Sequence, residues 1–192
     1  MDPSEIEFLA EQQKISIIPK FTSNSTVHLI SGDVGPFRAG LPVVVPIWIA
    51  INLRQRQKCR IVPPDWMNVD VLLEKKEEEK NNRLFTKMPD EHYMQVTQML
   101  LSVAGDDIER SDEIRTAIKD LWDIRISKLR SSVDTFIKTE NRHAQLNHLT
   151  QFEINSIRPL LPDALDILQD LNDDAVENVD YLDLTELGNS HG

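Results

Sequence analysis

The sequence predicts an α+β protein, with a small β-rich N-terminal domain over residues 1–62 and a larger all-helical domain with one long central helix over 63–172. A disordered acidic tail follows over 173–192. Three observations carry this. Short apolar runs and half of the six glycines crowd into the first 45 residues. Beyond residue 68 the apolar residues recur at helical spacing. The stretch from Ser111 to Lys138 contains neither Gly nor Pro, and at 1.5 Å per residue it makes a rod of roughly 40 Å.

In chain order, residues 3–12 read as a short acidic helix, with Ile6, Leu9 and Ala10 on one face. KISIIP (14–19) and TVHLI (26–30) flank a turn-rich TSNS and read as paired strands. GDVGPFRAGLP (32–42) is a shaped loop, and VVV (43–45) is a third strand. Pro46 suits the first turn of a helix to about residue 56. RQRQKCRIV (54–62) is ambiguous: a strand would put Arg54, Arg56, Lys58 and Arg60 on one face, whereas a helix passing into a strand scatters them. PIWIAINL lacks strict alternation, which favours helix then strand. PPDW (63–66) is a stiff turn and marks the domain boundary.

Asn68 is the expected N-cap of the next helix, and residues 77–83 read as its solvated end or a linker. DEHYMQVTQMLLSVAG (90–105) is a helix presenting Tyr93, Val96, Leu100 and Ala104, with Gly105 placed to stop it. On the central helix Ile114, Ile118, Leu121, Trp122, Ile126, Leu129, Val133, Phe136 and Ile137 share an arc about 160° wide. Ser111 is placed to cap its first turn. Arg125 points into the middle of that arc and Arg115 lies near the direction of Val133. A guanidinium in a core needs a carboxylate or carbonyls. Two readings stay open: the Arg125 stem packs while its head snorkels to water, or Arg125 pairs across a contact, including one to another chain. Thr150 and Glu153 form a capping box that starts a helix at LTQFEIN. Pro159 and Pro162 interrupt that helix, and DALDILQDL (163–171) continues helically. In the acidic tail, YLDL (181–184) is either a docking motif or part of a solubilising extension.

Charge and composition exclude several functions. With 21 basic against 32 acidic residues the net charge is −11, which argues against nucleic-acid binding through overall charge. One cysteine, Cys59, rules out an internal disulfide and fits a reducing compartment. The N-terminus has no secretory h-region, and no apolar run is long enough for a membrane span, so the chain is expected in the cytosol or nucleus.

No catalytic pattern emerges. Gly35–Gly40 has the glycine spacing of a phosphate loop, but Leu41 and Pro42 stand where Lys and Ser/Thr are required. Glu140 and His143 make a single Glu-x-x-His, where a di-iron bundle needs two. Asp106 and Asp107 read as a solvated turn rather than a metal or acid–base pair. Cys59 reads as a packed thiol. Two classes of function remain: an assembly subunit binding proteins through helices and tryptophans, and a nucleic-acid contact module acting through Arg54, Arg56, Lys58 and Arg60.

FLAE (8–11), LISGDVGPF (29–37), GLPVVVPIWIAINLRQRQKCR (40–60), PPDWM (63–67), MP (88–89), DEIRTAIKDLWDIRISKLR (112–130) and LTQFEIN (149–155) carry a resemblance. In this order they resemble the GINS family of DNA replication proteins, in its subunit-two type. The resemblance implies a β-rich domain followed by a helical one, and a nuclear subunit of a heterotetramer with no enzymatic activity and no cofactor. It also implies partners: the three other GINS subunits and, through the assembly, the MCM ATPase ring and a bridging cell-division-cycle protein. ATP hydrolysis would belong to the MCM ring, and contact with DNA would arise only in the full complex. Trp48, Leu53, Arg54, Arg115, Ile118, Trp122, Arg125 and Leu129 are the residues expected at the partner interface or in its core.

Overall fold

The computed structural model describes residues 2–30, 32–139 and 147–158. The expected helix over 163–171, the acidic tail with YLDL, the Glu140–His143 pair and the side chains of Phe136 and Ile137 lie outside what is described.

A strand-rich region comes first. Helix α1 (Pro3–Glu11) opens with Asp2 and Glu5 in a reciprocal capping box, and buries Ile6 and Ala10. Strand β1 (Lys14–Pro19) is the centre of a three-stranded antiparallel sheet, between β4 (Val43–Pro46) and β5 (Cys59–Val62). Alternation puts Ile15 and Ile17 inside, with Ile17 opposite Val43 on one side and Ile61 on the other.

The expected pairing of residues 14–19 with 26–30 is therefore wrong. β2 (Val27–Leu29) pairs instead with β3 (Gly32–Val34), inside the segment expected to be all loop. The reason is local. Gly32, at φ 120°, lets the chain double back at once, and both edges of β1 are taken by strands with more apolar surface to bury. The rest of that segment is shaped as expected. Gly35 has φ 108°, and a Cβ there would come within 3.1 Å of the Ser25 carbonyl oxygen. Phe37, just beyond, is buried against Phe21, with ring centroids 5.2 Å apart.

Helix α2 (Ile47–Gln55) follows directly, with Pro46 one residue before its first turn as the N-cap. Residues 54–62 resolve as helix, turn and strand.

In the helical region, α3 (Val69–Asn81) is capped by Asn68, whose side-chain oxygen accepts the Asp70 N–H at 2.9 Å. The end of α3 at Asn81 is solvated as expected, with residues 77, 78 and 80–83 exposed; the exception is Glu79, whose side chain is fully buried. Helix α4 (Tyr93–Ala104) buries Tyr93, Val96, Leu100 and Ala104 as its spacing demands. Gly105 does not stop it in a left-handed turn; at φ −53° it leads into one 3₁₀ turn. Helix α5 (Ser111–Thr139) is the central rod, and Ser111 is its first residue rather than the cap before it. Helix α6 (Gln151–Ile157) starts at the Thr150–Glu153 capping box.

One hydrophobic cluster runs through both regions, from Ala10, Ile17 and Ile61 to Leu72, Leu100 and Leu121. Sheet and helices thus share one core. A smaller cluster gathers Phe85 and Leu129, with Ile126 and Leu149 against them. Among the described residues no helix is long and apolar enough to cross a membrane.

Candidate functional site

The cation that breaks the apolar arc of α5 lies at the centre of a closed polar junction. Arg125 is fully buried, and every one of its five N–H donors is used. Nε donates to Glu153 Oε1 at 2.5 Å and Nη2 to Glu153 Oε2 at 2.9 Å, a two-pronged pairing. Nη1 donates to Glu79 Oε2 and to the Thr86 carbonyl, each at 3.0 Å. Nη2 also donates to the His148 carbonyl at 2.8 Å, where His148 sits in the left-handed region at φ 66°. Phe85 lies beneath the guanidinium, 5.3 Å from ring centroid to Cζ.

A second cation completes the balance. Lys128 donates to Glu79 Oε1 at 2.8 Å and also reaches the Glu79 carbonyl. Two positive and two negative groups thus neutralise one another between α3, α5 and α6, and the Tyr93 hydroxyl of α4 donates to Glu153 at 3.2 Å. The protonation states follow. Burial alone would push the Glu79 carboxyl up, but hydrogen bonds from Lys128 and Thr86 and the Arg125 charge hold it below its ordinary value. Burial, reinforced by Glu153, pushes the Tyr93 phenol well up. The sequence reading of Arg125 as paired is right, the snorkelling reading is wrong, and the partners lie within the chain rather than across to another.

The same helix carries a different arrangement nearer its start. Arg115, Ile118, Lys119 and Trp122 form a stripe at i, i+3, i+4 and i+7 on α5. Met94, Thr97, Gln98 and Leu101 form the matching stripe on α4. Between them runs a mainly apolar groove of about 480 Å³, with Phe152 of α6 at one end. The Trp122 and Phe152 rings lie 5.1 Å apart. Ile118 is buried in the groove floor, whereas Trp122 is only half-buried although it lies on the apolar arc. Thr97 is 3% exposed, and its hydroxyl has no hydrogen-bond partner among the described residues.

The eight interface candidates therefore separate. Arg115, Ile118 and Trp122 come together at the groove. Arg125 and Leu129 are fully buried further along α5. Trp48 and Leu53 lie on α2: Trp48 is 39% exposed, and Leu53 packs half-buried against the core. Arg54 donates to Asp107 Oδ2 at 2.7 Å, and the same oxygen accepts the Ile61 N–H at 3.1 Å. Asp107 is thus a fastener between α2 and β5 rather than a solvated turn residue. Arg56 and Lys58 fall in the turn after α2 and Arg60 on β5, all three exposed.

Cys59 is packed as expected. Burial, with Asp107 nearby, pushes its thiol up to about 11, which makes it a poor nucleophile. Among the described residues no group of His, Cys, Asp or Glu is placed to hold a metal ion.

Sequence reasoning missed Glu79 and the second role of Glu153. The signal for Glu153 was present, since its capping box fixes where the carboxylate sits. Glu79 had none, standing in a run of identical neighbours.

Comparison with known proteins follows the same division of the chain. Residues 2–62 match the PSF2 N-terminal domain, and residues 66–172 match the GINS complex protein helical bundle domain. The probable DNA replication complex GINS protein PSF2 of Drosophila melanogaster is 61% identical over 166 residues, covering 86% of this chain and 81% of the relative. The DNA replication complex GINS proteins PSF2 of Xenopus laevis and Homo sapiens are 52% and 50% identical, each covering 86% of this chain and 89% of the relative.

Proposed function

Since the chain belongs to the PSF2 branch of the GINS family of DNA replication complex proteins, we propose that it is a non-catalytic scaffold subunit of a nuclear heterotetramer with three sister subunits. In this reading the assembly joins the MCM ring and a bridging cell-division-cycle protein to make the active replicative helicase. The ATPase chemistry belongs to the ring. The strand-rich part over 1–62 and the helical part over 63–172 act as separate recognition modules built on a shared core.

The observation that supports this best is the two-helix groove, an apolar trough that the described residues of the chain leave open. We place the partner interface there, through Arg115, Ile118 and Trp122, and at the exposed Trp48 with Leu53 and Arg54 behind it. Arg125 and Leu129 brace the same helix from beneath. Nucleic-acid contact through Arg54, Arg56, Lys58 and Arg60 is the weaker reading, because Asp107 already neutralises Arg54.

Co-expression tests the proposal. With its three sister subunits the chain is expected to co-purify in one stoichiometric complex, and alone at micromolar concentration to self-associate. A stable, monodisperse monomer that ignores the sister subunits would overturn it. Removing residues 173–192 is expected to leave that complex intact.

A further inference from the structure

We propose that the groove between α4 and α5 receives an acidic amphipathic helix from a sister subunit, its apolar stripe on the floor and its carboxylates on Arg115 and Lys119. This rests on the subunit reading for the existence of a partner and adds the chemistry of the segment that docks.

The shape of the trough argues for a helix. Each wall is one stripe at i, i+3, i+4 and i+7, so the trough runs along the helices for two turns, about 10 Å. Two neighbouring helices with such stripes leave the position that a third helix fills in a bundle. An extended strand would bring backbone N–H and C=O groups onto a mainly apolar floor without a ladder to satisfy them.

The charge of the occupant follows from the rim. Arg115 and Lys119 are exposed, stand one turn apart on the same edge, and make no ion pair among the described residues. Lys75, Lys76, Arg110 and Lys128 are engaged with Glu78, Asp120, Glu113 and Glu79; Lys80, Arg83, Lys87 and Arg130 also make no ion pair among the described residues, but only Arg115 and Lys119 border the groove. In a chain of net charge −11, two adjacent cations that border an apolar trough and are unpaired among the described residues favour a segment whose carboxylates flank its apolar stripe. Two further features fit an occupied groove. The half-covered indole of Trp122 is the side-chain type that dominates binding energy at interface centres. The Thr97 hydroxyl, without a hydrogen-bond partner among the described residues, lies on the α4 wall, where a buried polar group gains from any hydrogen bond an occupant brings.

Zero-length carbodiimide cross-linking of the complete four-subunit assembly tests this, because it joins an amine to a carboxylate only in direct contact. Mass spectrometry is expected to find Lys119 joined to an Asp or Glu of a sister subunit, within a segment of helical apolar spacing. The double variant R115E/K119E is expected to weaken that association on the order of tenfold or more. Reversing the joined carboxylate to Lys should recover part of the loss. Lys119 joined only to a carboxylate of its own chain, such as Asp166 or Asp170, would overturn the proposal. So would an assembly that neither cross-links at Lys119 nor responds to the double charge reversal. A wild-type chain that does not assemble at all would sink the subunit reading and this inference together; assembly with the groove left open would sink this inference alone.

Discussion

Arg125 and Arg115 lie ten residues apart on one helix, and their surroundings are opposite. Arg125 is fully enclosed with all five donors bound, whereas Arg115 stands on the edge of an open groove with no ion pair among the described residues. The contrast separates two uses of a cation on an apolar helix. A buried guanidinium is tolerated only inside a neutral, saturated set, and removing one member leaves an uncompensated charge in a low-dielectric site. An exposed one costs the fold almost nothing and remains available to a partner.

That difference can be broken by substitution, and the largest effect should come from Arg125→Ala. Leaving Glu153 buried without its cation, and Glu79 with Lys128 alone, is expected to cost about 3–5 kcal/mol. Urea unfolding at submicromolar concentration, where self-association is suppressed, measures it. A loss under about 1 kcal/mol would mean that the junction does not hold the helices together. Glu153→Gln keeps the shape and removes one charge, so it should cost less, about 1.5–3 kcal/mol. Its loss should concentrate in the amides of α6, which hydrogen exchange resolves.

A gentler test uses protons. The Glu79 carboxyl is held below its ordinary value of 4.5, so the folded state favours the ionised form. The stability from this shift is fully present above pH 4.5 and is lost as pH falls through the lower folded value. Unfolding measured in parallel on wild type and Glu79→Gln should show that part of the acid slope only in the wild type. The smallest effect belongs to the other end of the comparison. Arg115→Ala should change the stability of the chain alone by no more than about 0.5 kcal/mol, although the R115E/K119E double variant is expected to loosen the assembly.

What the sequence could tell follows the same divide. The helical spacing of α4 and α5 was legible because burial imposes a period on residues within a single element. Arg125 stood out because it interrupts that period. Its partners were hidden for different reasons. Glu79 stands in the run Lys75–Lys80 beside two other glutamates, and only the approach of α5 decides which of the three is buried. Glu153 was visible as a helix cap, yet capping is a local role and says nothing of a residue 28 positions earlier. The pairing of β1 was misread for a related reason: adjacency in sequence favoured β2, but the sheet is closed by strands that come later. The groove was half legible. Arg115, Ile118 and Trp122 were named from one helix, while the opposite wall depends on how α4 lies beside it.

Glu153 ties two events together. Its Oε2 accepts the Thr150 N–H at 2.8 Å while also accepting from Arg125. Helix α6 has seven residues, too few to persist in water by itself. The carboxylate that starts the helix is thus the one that neutralises the buried cation. Unwinding the first turn of α6 would withdraw one of the two counter-ions of Arg125, leaving Glu79 alone beside it, and admit solvent to the junction. Helix α6 is a latch whose catch and cap are one carboxylate.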